Sequence, residues 1–113
     1  MAEVMKHEFL LGFIKIYILQ YAQRESVYGK EIHEHLTETG YHLSYATLYN
    51  TLHGLENKGY LLHEERNVGG KIRKYYNITD KGRNALMISM NHAQMLFADL
   101  DYNKNTGSPS KTE

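Results

Sequence analysis

Between Tyr60 and Ile78 the apolar period changes from that of a helix to that of a strand, around the turn Val68-Gly69-Gly70-Lys71. Tyr60–Asn67 and Ile72–Ile78 read as two strands, and a glycine pair between them suits a tight hairpin, whose central residues need positive φ. The rest of the chain carries helical periodicity. A single hairpin placed late in a helical chain of 113 residues predicts one small domain that is mainly α.

Residues 3–24 are predicted to be a helix: Phe9, Leu10, Phe13, Ile14, Tyr17, Ile18 and Tyr21 recur at three and four, and Leu11, Ile16 and Leu19 fill much of the other side. A helix apolar nearly all round is buried on more than one face, so its second face is expected to meet another subunit. Ser26-Val27-Tyr28-Gly29 breaks the pattern, and a short helix follows to about Thr39, with Ile32 and Leu36 inward and Gly40 as its stop. Ser44 caps a third helix that runs to about Lys58 and ends at Gly59, with Leu48, Leu52 and Leu55 as its buried stripe. After the hairpin, Thr79 caps a last helix to about Leu100, with Asp80 favourable in its first turn. The expected organisation is a winged helix-turn-helix over residues 1–80, a C-terminal dimerisation helix over 81–102 and a disordered polar tail over 103–113.

Net charge is zero, but its distribution is uneven. From Lys58 to Arg83 there are seven basic residues against three acidic ones, so this segment carries +4 and the remainder −4. Within the third helix, Tyr45, Thr47, Tyr49, Asn50 and His53 lie wholly or partly away from the leucine stripe, and no acidic residue occurs from Ser44 to Leu55. These are the side chains a major-groove reader needs: an amide can pair with adenine, and hydroxyls can meet phosphates. An ordinary polar helix face fits them equally. The hairpin tip adds Gly69 and Gly70, which permit close backbone approach, and then Lys71, Arg73 and Lys74. A cationic tip can straddle a phosphate backbone and add affinity by releasing counterions; a solvated surface turn is the alternative. With Tyr28 and Lys30 at the entry of the second helix, and Ser44 at the third, these residues form the expected set of double-stranded DNA contacts.

Other functions find little support. The chain has no cysteine, which excludes disulfide scaffolds, thiolate metal sites and thiol nucleophiles and fits a reducing compartment. Its start has mixed charge and no cleavage-site pattern, the apolar stretch Phe9–Leu19 is interrupted by Lys15, and a cytoplasmic, membrane-free protein is expected. His33-Glu34-His35 lacks the spacing that puts two imidazoles on one helix face, so neither metal nor cofactor is expected. No phosphate-cradling glycine loop or nucleophile elbow is present, and no enzyme activity is expected.

Several segments resemble the PadR family of regulators: Leu10-Leu11-Gly12, Tyr28-Gly29-Lys30-Glu31-Ile32, Ser44-Tyr45-Ala46-Thr47-Leu48-Tyr49, Leu52-His53-Gly54-Leu55-Glu56, and Gly69-Gly70-Lys71-Ile72-Arg73-Lys74-Tyr75-Tyr76-Asn77-Ile78-Thr79 closed by Gly82. The resemblance covers roughly residues 9–86. It implies a dimeric bacterial repressor whose C-terminal helix pairs with its mate, in the small subfamily with one short C-terminal helix. By that likeness Tyr49 would sit in the recognition helix, Lys71, Arg73 and Lys74 in the wing, and Tyr75 and Tyr76 would be structural strand residues. Tyr45-Ala46 stands where Pro-Gly is frequent, and Asn50 where Pro often follows the tyrosine. Drug-binding relatives stack flat ligands on a tryptophan of the last helix; this chain has none, and Ala93 stands at about that position.

The expected homodimer seam comprises Phe9, Phe13, Leu86, Met90, Ala93, Phe97 and Leu100. Two readings stay open. The first is a sequence-specific DNA-binding repressor, to which a small-molecule effector of unnamed chemistry can be added. The second is a winged-helix protein-interaction module that no longer binds DNA, suggested by neutral net charge and by Glu31, Glu34 and Glu38 on the second helix.

Overall fold

The computed structural model describes the backbone of residues 2–106 and the side chains of residues 9–100. The order is α1 (Ala2–Arg24), β1 (Val27–Tyr28), α2 (Gly29–Glu38), α3 (Tyr45–Asn57), β2 (Leu61–Val68), β3 (Lys71–Ile78) and α4 (Asp80–Thr106). The helix–helix–helix–hairpin–helix order expected from the sequence is present. The sheet, however, has three strands in the order β1-β3-β2 rather than a bare hairpin. Val27 and Tyr28 pair antiparallel with Tyr76 and Tyr75, so the break before α2 is a short strand that ties the helical half to the wing.

The hairpin is as tight as its glycines permit. Val68 pairs with Lys71, and Gly69 and Gly70 take φ of 58° and 86°. Both central residues at positive φ give the turn whose twist matches that of the strands. Asn67 Oδ1 accepts from the Gly70 N–H at 3.0 Å and closes the turn from below.

Ile14, Ile18, Ile32, Leu36, Leu48, Leu52, Leu61 and Tyr76 form the fully buried centre, joined by Val27, Leu55, Ile78 and Leu86. The caps are as local chemistry requires. Ser44 Oγ accepts from the Thr47 N–H at 3.1 Å, and Glu31 accepts from the Tyr28 N–H at 3.2 Å. Thr79 does two things: its hydroxyl donates to the Gly59 carbonyl at 2.5 Å and accepts from the Gly82 N–H at 2.9 Å. One oxygen thereby joins the end of α3 to the start of α4.

Two sequence expectations need correction. Leu86 belongs to the core of its own chain, only 5% exposed, because the first turns of α4 pack on α1 and the sheet; it is not free for a partner. And α4 continues to Thr106 instead of ending near Leu100, so Asn103–Thr106 are helical; the remainder of the expected disordered tail lies outside the described residues. The 27 residues of α4 span about 40 Å. The radius of gyration is 17.5 Å, against about 13 Å for a compact chain near this length. Beyond Leu86, Met90 and Ala93 are half-buried while Phe97 and Leu100 are exposed, as are Phe9 and Phe13 on α1. No described helix is long and apolar enough to cross a membrane.

Candidate nucleic-acid interface

Helix α3 presents polar flanks on either side of its buried stripe. On one flank, Tyr49 and His53 line a cleft of about 480 Å³ whose opposite wall is β3, with Ile72, Arg73 and Lys74, and whose back is Tyr28 and Gly29. On the other, Thr47 and Asn50 line a separate groove against α1 and α4. The expected contact residues are thus partly brought together: Tyr28, Tyr49, His53, Arg73 and Lys74 share one concavity, whereas Thr47 and Asn50 border a second one. Lys30, Gly69, Gly70 and Lys71 are exposed and line neither.

The strand register sorts the wing cations. Arg73 lies opposite Arg66, and Lys74 opposite Glu65. Because successive side chains alternate, Arg73 shares a face with Tyr75 and Arg66, while Lys74 shares the face that buries Tyr76. The Arg73 guanidinium lies 4.6 Å from the centre of the Tyr28 ring, and that of Arg66 lies 4.2 Å from the Tyr75 ring, with the two rings 5.4 Å apart. Face-on aromatic support holds a guanidinium while leaving its N–H edges free. The Arg66 Nε already donates to Glu64 at 2.6 Å. Arg66 was absent from the sequence-derived set; the two-residue turn, which fixes Arg66 opposite Arg73, is the signal that finds it.

Tyr49 is not a free reader. A methyl group built on Gly29 would stand 2.6 Å from its hydroxyl oxygen, so the end of the ring is packed on the first residue of α2. Burial of that end, and then the neighbouring Tyr45 and Tyr28, push the hydroxyl above its ordinary pKa, so it stays a hydrogen-bond donor at neutral pH. The start of α3 is held by aromatic stacking. The His33 ring lies 4.0 Å from that of Tyr45 at an interplanar angle of 13°, and His33 Nε2 is 2.7 Å from the Leu43 carbonyl. Ser44, expected as a contact, spends its hydroxyl on the cap and on the Thr47 hydroxyl.

The far end of α3 is tied to the wing. His63 Nδ1 on β2 is 2.7 Å from the Glu56 carboxylate, and the His63 ring lies 5.6 Å from the buried ring of Tyr76. Asn77, on β3, accepts from the Ser26 hydroxyl ahead of β1. Helix α3 is thereby joined to β2, and the segment ahead of β1 to β3. His33 and His35 diverge, the latter packing edge-on against Tyr21 at 4.7 Å.

Comparison with known proteins follows the same lines. Residues 18–88 match the transcriptional regulator PadR-like family. A transcriptional regulator of Mycobacterium tuberculosis is 40% identical over 79 residues, covering 70% of this chain and 74% of the relative. Among solved structures, a PadR family transcriptional regulator from Eggerthella lenta superposes with a TM-score of 0.77 at 29% identity, covering 94% of each chain. A PadR-like transcriptional regulator from Bacillus cereus gives a TM-score of 0.77 at 27% identity, covering 89% of this chain and 99% of that one.

Proposed function

Because this chain belongs to the PadR-like family of transcriptional regulators, we propose that it is a repressor that binds a pseudo-palindromic stretch of double-stranded DNA as a homodimer in the cytoplasm. The observation that carries this reading is the shared cleft: Tyr49 and His53 of α3 and the Arg73–Lys74 stretch of β3 line one concavity, so a single polyanion can reach both elements. Helix α3 enters the major groove, and the wing follows the adjacent backbone.

The division of labour is testable. Arg73→Ala and Lys74→Ala are expected to weaken binding on every sequence and to lower the salt slope by about one each. Asn50→Ala is expected to cost about 1–3 kcal/mol at particular base pairs and little on random duplex. Binding curves on selected and scrambled fragments at several salt concentrations separate the two. Equal losses on both DNAs for all three variants would refute the assignment. A wild-type protein that shifts no genomic fragment in moderate salt would instead favour the protein-interaction reading.

The exposed apolar residues support the dimer. Phe9, Phe13, Met95, Leu96, Phe97 and Leu100 are all more than half exposed in the single chain, an apolar surface that free monomers rarely carry. Pairing through α1 and α4 would cover it and set two α3 helices roughly 34 Å apart, one helical turn of DNA. Phe97→Glu is expected to shift the chain from dimer to monomer in sedimentation, with the far-ultraviolet circular dichroism spectrum retained. A dimer unchanged by this substitution would rule out this seam.

A further inference from the structure

The first turn of α3 carries little that can hydrogen-bond to a base. Ser44 uses its hydroxyl on the Thr47 N–H and the Thr47 hydroxyl, and Thr47 itself lines the groove against α1 and α4. What stands outward is largely apolar: the ring of Tyr45, 47% exposed, and the methyl group of Ala46, also exposed. In a recognition helix these N-terminal residues are the ones that reach base edges. The base edges of a major groove offer donors, acceptors and a single apolar group, the ring methyl of thymine.

Tyr45 is held in place before any duplex arrives. The imidazole of His33, on α2, lies 4.0 Å from its ring at an interplanar angle of 13°. That imidazole is itself fixed, because His33 Nε2 donates to the Leu43 carbonyl at 2.7 Å and Leu43 belongs to the buried core. One turn along α3, the Tyr49 ring lies near-parallel to that of Tyr45 at 6.3 Å and 19°, and its far end is packed on Gly29. Three aromatic rings thus stand in a row with Tyr45 among them. A tyrosine stacked in this way has little freedom left to lose on binding, while its edge stays open to a partner.

We propose that Tyr45 and Ala46 read the ring methyl group of a pyrimidine in the major groove, with His33 as the positioning residue that holds the Tyr45 ring for it. This rests on the reading of α3 as the helix that enters the major groove. The contact is with the methyl group alone, so its carrier can be thymine or 5-methylcytosine. Burial of one such group is worth about fourfold in affinity.

The test starts from a duplex that the wild-type protein retains from a random pool. Its thymines are replaced one at a time by deoxyuridine, which pairs identically and lacks only the methyl group. At one position in each half-site, affinity is expected to fall about fourfold. A C·G pair placed there is expected to gain a similar factor when its cytosine is 5-methylated. The thymine-to-uracil affinity ratio is the readout, since a general loss of folded protein weakens both duplexes and leaves the ratio unchanged. It is expected to fall to about one in Tyr45→Ser and to persist in Tyr45→Phe, which keeps the ring without the hydroxyl. His33→Ala is expected to lower it, and His33→Phe, which can still stack, to restore it.

Affinity indifferent to every uracil substitution would overturn the methyl reader and leave the proposed function standing. A uracil penalty as large in Tyr45→Ser as in the wild type would place the methyl contact on another residue. Loss of the ratio in Tyr45→Phe would assign the effect to the hydroxyl, and an unchanged ratio in His33→Ala would remove the positioning role. No gain from 5-methylcytosine would show that the rest of the base is read too, against a contact with the methyl group alone. A wild-type protein that retains no duplex would sink this proposal and the proposed function together.

Discussion

Gly82→Ala is expected to destabilise the chain by about 3 kcal/mol and to lower its thermal midpoint by roughly 10–20 °C. The sign opposes intrinsic propensity, since alanine is the better helix former by about 1 kcal/mol. The reason is contact. A methyl group at Gly82 would overlap the Tyr60 carbonyl oxygen and stand 2.8 Å from Ile78 Cγ1. Backbone cannot step aside as a flexible side chain can, and the Gly82 N–H is also held by the Thr79 hydroxyl. Relief would require α4 to lift from the sheet, breaking the bond from Thr79 to the Gly59 carbonyl. Thermal denaturation of Gly82→Ala beside Gly12→Ala checks this, with the two midpoints moving in opposite directions. Equal midpoints would mean that α4 does not start against Tyr60.

The second large effect is expected at Gly29. Its added methyl group would stand 2.6 Å from both the hydroxyl oxygen and a ring carbon of Tyr49, so the ring must swing out of the cleft it shares with Arg73 and Lys74. Gly29→Ala is expected to cost about 1–3 kcal/mol of stability with Tyr49 present and to be neutral or slightly stabilising in the Tyr49→Ala background. Operator affinity is expected to fall about tenfold or more in Gly29→Ala, more than its loss of folded protein explains. A double-mutant cycle read by denaturant midpoint and by DNA titration measures both quantities. Additive stabilities would show that the two residues do not touch, and an unaltered affinity would remove Tyr49 from the interface.

These two contacts also mark where sequence reasoning stops. The leucine stripe Leu48, Leu52, Leu55, the Ser44 cap and the Gly69-Gly70 turn were legible because each is specified within a few residues of chain. The turn also carried the whole register of β2 against β3, and with it the opposition of Arg66 and Arg73. Strand β1 was not legible: two residues have no period, and Val27 and Tyr28 become a strand only by pairing with residues some fifty positions away. The packing of Tyr49 on Gly29 is of the same non-local kind.

The seam on α4 was legible in part. An apolar stripe states that a face is covered without stating by what. Leu86, in the same stripe as Phe97 and Leu100, is covered by its own chain, while the latter two are not. Likewise, the polar flank of α3 was read as one surface, but helical geometry divides it between the wing cleft and the α1–α4 groove.

The hydroxyl of Thr79 grips the carbonyl that ends one helix and the amide that begins another, which makes the root of α4 a weld and not a hinge. In any pair of chains joined through the far half of α4, the distance between the two reading heads is then set by the side chains at the joint between copies. Drift in those residues alone can retune which spacing of half-sites is recognised, with the reading heads themselves untouched.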